Sequence, residues 1–261
     1  MAQMDITFLG TGTSVGIPMI GCGCVTCTSE DPRDRRSRSS IFVRTDEASW
    51  VVDTGPDFRE QCLREGITSM DAVLYTHGHM DHVVGFDELR RFTLGADATL
   101  PLYAREETMN SLRRMFDYAF NGENRYPGYF KPDPKLVVGP FQVGKTEVVP
   151  LQVSHGKVDT VGFLFVRGDR RLLAYIPDCK TLSAEALKSI EGVETLVIDA
   201  LRYTAHPTHM NFEEALALVG SLDVGQTYFT HFSCEVRHAE AEKGLPTGVA
   251  LTYDGLRISI G

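Results

Sequence analysis

Within the heptapeptide Thr76-His77-Gly78-His79-Met80-Asp81-His82, four side chains that can bind a metal fall inside six positions. No other stretch of the chain constrains the fold as tightly. A lone histidine is usually a satisfied core or surface residue, but four such groups directly after a strand-like run (71–76) are a ligand set. Side chains alternate faces along a strand, so His77 and His79 can point the same way. The turn and helix start that follow can aim Asp81 and His82 at a neighbouring position. Imidazole and carboxylate together suit zinc, manganese or iron.

Around this motif, apolar runs of strand length recur at 5–10, 40–45, 49–53, 71–76, 135–138, 146–153, 161–167, 171–177, 194–199, 226–230 and 249–259. Helical periodicity appears at 57–65, 85–94, 105–119, 183–190, 211–221 and 235–243. Asn211 and Ser183 are suited to cap two of these helices. Many strands with fewer helices predict two sheets with helices outside them, in one domain over residues 1–261. Residues 116–134 break the rhythm: Phe116, Tyr118, Phe120, Tyr126, Tyr129 and Phe130 are set among Gly and Pro. Such a segment is either a lid or oligomer contact, or a local mini-core over a sheet edge.

Hydrophobic residues make up 43% of the chain and charged residues 23%, enough apolar content for a sizeable core. No apolar run approaches the roughly 18–20 residues that cross a bilayer. The first residues carry no basic region ahead of an apolar stretch, so a cytoplasmic protein without a signal peptide is expected. The net charge of −9 argues against nucleic acid as partner, because phosphate contacts need a basic face. The one dense basic stretch, Arg33 to Arg38, reads as a solvated loop. Bound divalent cations would bring the balance closer to neutral. Of six cysteines, Cys22, Cys24 and Cys27 are crowded together while Cys62, Cys179 and Cys234 are scattered. In a cytosolic chain such crowding favours a metal over disulfides.

The His-x-His-x-Asp-His spacing resembles the signature of the metallo-β-lactamase superfamily, and the resemblance runs through the whole chain. It implies an α+β fold, the four-layer αββα sandwich, with two metals in a cleft at one edge of the sheets. It also implies that His155 completes the first metal's ligands, that Asp178 bridges both metals, and that His231 completes the second. Each of the three follows a strand-like run. Asp53, in a second-strand acidic turn, is expected to accept a hydrogen bond from a ligand imidazole.

Within the superfamily the chain resembles the PhnP-type phosphoribosyl cyclic phosphate phosphodiesterases. That likeness implies a structural zinc on Cys22, Cys24, Cys27 and Cys234, where the family has a histidine at the fourth position. It assigns His209 to contact the scissile phosphate and protonate the leaving group, with His206, three residues earlier, as the alternate. It also covers the Gly-rich stretch Leu9 to Pro18, whose turns would let backbone N–H groups approach an anion. His238 has no family counterpart and reads as a solvated helix histidine. The long aromatic segment is a departure from the family.

The expected activity is hydrolysis of a small, cyclic phosphodiester with a water activated between two divalent cations (Zn or Mn), with Asp81 and His209 as catalytic groups. An RNase Z-like nuclease, a thioester or lactam hydrolase, and a cofactor-biosynthesis accessory protein resembling PqqB are the alternatives. The Cys-rich run and His209 favour phosphodiesters. A homodimer is implied by the resemblance only.

Overall fold

The computed structural model describes residues 3–94, 99–122 and 129–261. The first sheet contains β1 (Met4–Gly10), β2 (Ser40–Arg44), β3 (Ser49–Val52), β4 (Ala72–Leu74), β5 (Leu100–Ala104) and β6 (Pro132–Leu136) in that order. The second is built from β7 (Phe141–Val143), β8 (Thr146–His155), β9 (Val158–Arg167), β10 (Arg170–Ile176), β11 (Thr181–Leu182), β12 (Thr195–Asp199), β13 (Gln226–Thr230) and β14 (Val249–Leu251). Its order is β11-β8-β9-β10-β12-β13-β14, with β7 on β8. The last strand, β15 (Arg257–Ile260), returns to the first sheet beside β1.

Period-two alternation along the strands builds the layers. Met4, Ile6, Phe8, Trp50 and Val52 face inward and meet Phe163, Phe165, Leu173, Tyr175 and Val197 of the second sheet. Leu9, Val51 and Val73 face outward, against Phe58 of α1 (Phe58–Glu65) and Met109 and Leu112 of α4 (Glu106–Met115). Between these two helices come the short α2 (Met80–Val83) and α3 (Arg90–Thr93). On the far side Ala174, Ile176, Leu196 and Ile198 pack on Ile190 of α6 (Ala184–Ile190), Ala215 of α7 (Phe212–Val219) and Ala241 of α8 (His238–Ala241). Three apolar cores thus separate four layers, helix, sheet, sheet, helix, as the metallo-β-lactamase sandwich requires. The predicted caps are present: Ser183 accepts from Ala186 N, and Asn211 forms a capping box with Glu214.

Several boundaries differ from expectation. The run 249–259 is broken by a turn at Asp254–Gly255, where Gly255 has φ 87°, and its halves join different sheets. The helix expected over 85–94 begins as a 3-10 turn over Val84–Leu89 before α3, and that over 105–119 is interrupted at Phe116 before α5 (Asp117–Phe120). The basic stretch is not a solvated loop. Arg36 is fully buried, 3.2 Å from Asp34 and stacked over Phe232, while Arg38 pairs with Asp57 at 3.1 Å. The described part of the aromatic segment packs around Phe86, whose ring lies 4.4, 5.6 and 4.9 Å from Phe116, Phe120 and Phe130. These contacts are those of a mini-core; Tyr126 lies outside the described residues. Among the described residues no helix is long and apolar enough to cross a membrane.

Candidate metal centres

The motif that follows β4 is anchored from behind by Asp53. This carboxylate, with no exposed surface, accepts from Thr76 N, Thr76 Oγ1 and His82 Nδ1, each at 2.8 Å. A donating Nδ1 leaves His82 Nε2 as a lone pair facing forward. To reach this position Asp53 takes φ 64°, a left-handed conformation that a side chain adopts only where its surroundings compel it. His231, at the end of β13, is in the same state at φ 64°.

Two donor sets result. His77 Nε2 and His79 Nδ1 are 2.9 Å apart, and His79 Nδ1 is 3.3 Å from His155 Nε2. A tetrahedral cation with M–N bonds of about 2.05 Å would separate its ligand atoms by about 3.3 Å, so the spacing fits zinc. His155 is oriented by the Thr208 carbonyl, 3.1 Å from its Nδ1. In the second set His82 Nε2 lies 3.2 Å from Asp81 Oδ2 and 3.3 Å from Asp178 Oδ1, and His231 Nε2 lies 3.4 Å from Asp178 Oδ2. Asp178 also reaches within 3.8 Å of His155 Nε2, so it stands between the sets.

Unmet hydrogen bonding supports the same assignment. His82 Nε2, Asp178 Oδ1 and both ring nitrogens of His231 are buried without a hydrogen-bond partner. Leaving one such atom bare costs about 1–3 kcal/mol; a cation would satisfy His82 Nε2, Asp178 Oδ1 and His231 Nε2, while His231 Nδ1 lies on the Asp199 side. The seven side chains singled out by the motif and the resemblance are therefore the ones the fold brings together.

His209 joins them. Its Nδ1 lies 2.6 Å from Asp199 Oδ2, and its ring stacks on His231 with centroids 4.7 Å apart. A ring atom of His209 is within 4.8 Å of donors on His155 and Asp178. Burial raises the Asp199 carboxyl to about 7, against the pull of His209, while burial pushes His209 down but the Asp199 carboxylate outweighs it and holds His209 above its usual value. Sequence reading missed Asp199, which looks like any acidic residue closing an apolar strand. It also accepts from Cys179 N at 2.9 Å and leaves Oδ1 3.9 Å from His231 Nδ1. His206, the alternate to His209, stands further out, its ring 5.0 Å from that of His209, and belongs to none of the donor groups above.

The fold also brings the four cysteines together. The sulfurs of Cys22, Cys24, Cys27 and Cys234 all lie within 4.8 Å of one another. Backbone N–H groups of Met19 and Cys27 point at Cys27 Sγ and Cys24 Sγ, at 3.3 and 3.4 Å; the bond from Cys27 N–H lowers the Cys24 thiol to about 7, whereas burial outweighs the Met19 bond and pushes the Cys27 thiol up. The Gly-rich stretch departs from the expected anion cradle. The amides of Gly12, Thr13, Gly16 and Ile17 are spent on Ser37, Phe232, Thr13 and Arg36 carbonyls. Gly12 is small for a different reason, since a Cβ there would sit 2.8 Å from Arg36 O. His238 is also not solvated: it is 1% exposed beneath Tyr253, with its backbone N–H on Asp34.

Fold and site together define a metallo-β-lactamase-fold hydrolase. The family model described as a beta-lactamase superfamily domain matches residues 50–232, and the chain belongs to that superfamily of metal-dependent hydrolases. Among solved structures, a diphosphatase of the PhnP family superposes with a TM-score of 0.91 at 36% identity, covering 99% of this chain and 98% of the other. Coenzyme PQQ synthesis protein B of Methylobacterium radiotolerans is 34% identical over 75% of this chain and 72% of that protein. The octanoyltransferase of Porphyromonas gingivalis is 37% identical over 98% of this chain but only 52% of that protein, so the chain spans about half the length of this relative.

Proposed function

We propose that the chain hydrolyses a small phosphodiester at a dinuclear centre held by His77, His79, His155, Asp81, His82, His231 and the bridging Asp178. The carrying observation is that these donors converge beside His209, with His82 Nε2, Asp178 Oδ1 and His231 Nε2 buried and without a hydrogen-bond partner. Two divalent cations bound there would supply Lewis acidity and bring the pKa of a water from about 15.7 toward about 7. The protein's own groups do the rest. His209, steadied by Asp199, faces the centre as a proton donor for the departing oxygen, a role typically contributing about 10²–10⁴-fold. Asp53, Thr76 and the Thr208 carbonyl fix the imidazoles so that little reorganisation is needed during reaction. Similarity to a PhnP-family diphosphatase supports substrates with P–O–C or P–O–P linkages. The four cysteines we assign to a structural zinc.

A small substrate, rather than RNA, is favoured by the net charge of −9 and by the pairing of Arg33, Arg36 and Arg38 with acidic neighbours. An accessory role like that of the PQQ protein needs no open two-cation pocket with a proton donor beside it. The test is metal analysis of protein purified without chelator, joined to turnover of cyclic phosphodiesters, aryl phosphodiesters, diphosphates and a pre-tRNA. About three metals per chain are expected, two labile and one resistant to chelation, with small substrates cleaved. An active enzyme holding no metal, or cleavage of pre-tRNA alone, would overturn the reading.

A further inference from the structure

We propose that His206 determines specificity by gripping a phosphoryl group on the leaving half of the substrate, an inference that rests on the phosphodiesterase reading above. His206 sits beside His209 with ring centroids 5.0 Å apart, half-buried where His209 is buried, so part of its side chain remains accessible next to the proposed proton donor. Its Nδ1 lies 3.3 Å from both the amide nitrogen and Oγ1 of Thr208. An amide N–H can only donate, so Nδ1 is the acceptor and the neutral ring carries its proton on Nε2. No partner for Nε2 is found among the described residues.

The loop holding this donor is braced. Arg202 donates to the carbonyls of Thr204 and Ala205 at 3.2 and 3.0 Å, and Thr204 Oγ1 donates to Glu235 at 3.1 Å. Thr208 itself positions His155 through its carbonyl, so one short segment fixes both a metal-site imidazole and the outer histidine. Nearby cations are already engaged: Arg202 on those carbonyls, and Lys180 on Glu214 at 2.6 and 2.7 Å. A held donor with a free N–H, next to the group that protonates the leaving oxygen, is placed to bind what departs. Its chemistry suits an anionic phosphoryl oxygen, and because it is neutral it asks for no compensating charge.

The experiment compares bis(p-nitrophenyl) phosphate, whose leaving group is an aryl alcohol, with diadenosine diphosphate, whose leaving group is a nucleoside monophosphate. Both are assayed on the metal-loaded wild type, His206→Ala and His206→Gln. Losing one hydrogen bond to a charged acceptor, about 1.5–3 kcal/mol, predicts a fall of about 10- to 150-fold in kcat/KM for the diphosphate in His206→Ala. The aryl ester should fall less than about threefold, and Gln, whose amide places an N–H near Nε2, should recover most of the loss. An equal fall on both substrates, no fall on either, or wild type that cleaves the aryl ester but not the diphosphate would overturn the inference while leaving the phosphodiesterase reading intact. Cleavage of neither substrate by loaded wild type would overturn both. Thermal melts of the two variants that differ from wild type by more than a few degrees would assign His206 a structural role instead.

Discussion

At the scale of single residues, the centre separates groups that hold from groups that steer. Asp178 reaches both donor sets, so Asp178→Ala should abolish turnover and release the labile metal, as read by metal analysis beside the rate. His209→Ala should leave a measurable rate, about 10²–10⁴-fold down, with metal content unchanged. Asp199 touches the chemistry only through its neighbours, so Asp199→Ala should cost no more than His209→Ala. The double variant should then match His209→Ala alone, because residues acting as a unit are not additive. A double variant slower by the product of the two single losses would show that Asp199 acts elsewhere. How much of this was legible varies residue by residue. His77, His79, Asp81 and His82 announce themselves by density, whereas His155, Asp178 and His231 are single residues that only the family pattern picks out. Asp199 carries no signal, since its role depends on a backbone path from β12 to His209 that no spacing encodes. His238 reads as solvated because its burial comes from Tyr253 and from the loop at Asp34, at the other end of the chain.

At the scale of elements, the cysteine cluster and the proposed catalytic centre share one strand end. Cys234 comes three residues after His231, and the residue between their segments and the N-terminal turn, Phe232, exchanges backbone hydrogen bonds with Thr11 and Thr13. Cys234→Ser should therefore remove the chelator-resistant metal and lower the melting temperature, by on the order of 5–10 °C, while reducing turnover less than Asp178→Ala does. Retention of the tightly held metal in that variant would refute the four-cysteine assignment. Element types were readable where patterns were long, as in β8 to β10. The short β5, β7 and β11 were missed: β5 contains Pro101, which speaks against a strand, and β11 has only two residues. The run 249–259 looked continuous because its apolar content does not reveal that Asp254 and Gly255 turn the chain into the other sheet.

At the scale of the whole molecule, that turn contributes a pH-dependent term. Asp254 is buried and accepts from Ser37 N, Ser37 Oγ and Thr11 Oγ1, tying the C-terminal strand to the first loop. Burial outweighs these bonds and raises its carboxyl from 3.8 to about 6. Between those values the folded chain binds more protons than the unfolded one, so this contribution is full below about pH 4 and is lost as pH rises through about 6. The charged form then costs on the order of 2–3 kcal/mol. Asp254→Asn should flatten that part of the stability curve and leave the variant the more stable one at pH 8, as denaturant melts across pH 4–8 would record. A wild-type curve that rises over the same interval, with Asn indistinguishable, would contradict the assignment.

The donors on either side of Asp178 come from different layers: His77, His79, Asp81 and His82 from the end of one sheet, His155, Asp178 and His231 from the other. Any cation they grip is a rivet through both plates. Loading the pocket then does more than prepare chemistry, because the sandwich cannot splay at that edge without stripping ligands from the ion. Chelation should loosen the whole particle rather than one loop, and the enzyme's lifetime in a metal-poor setting becomes a question of how long the bare edges stay shut.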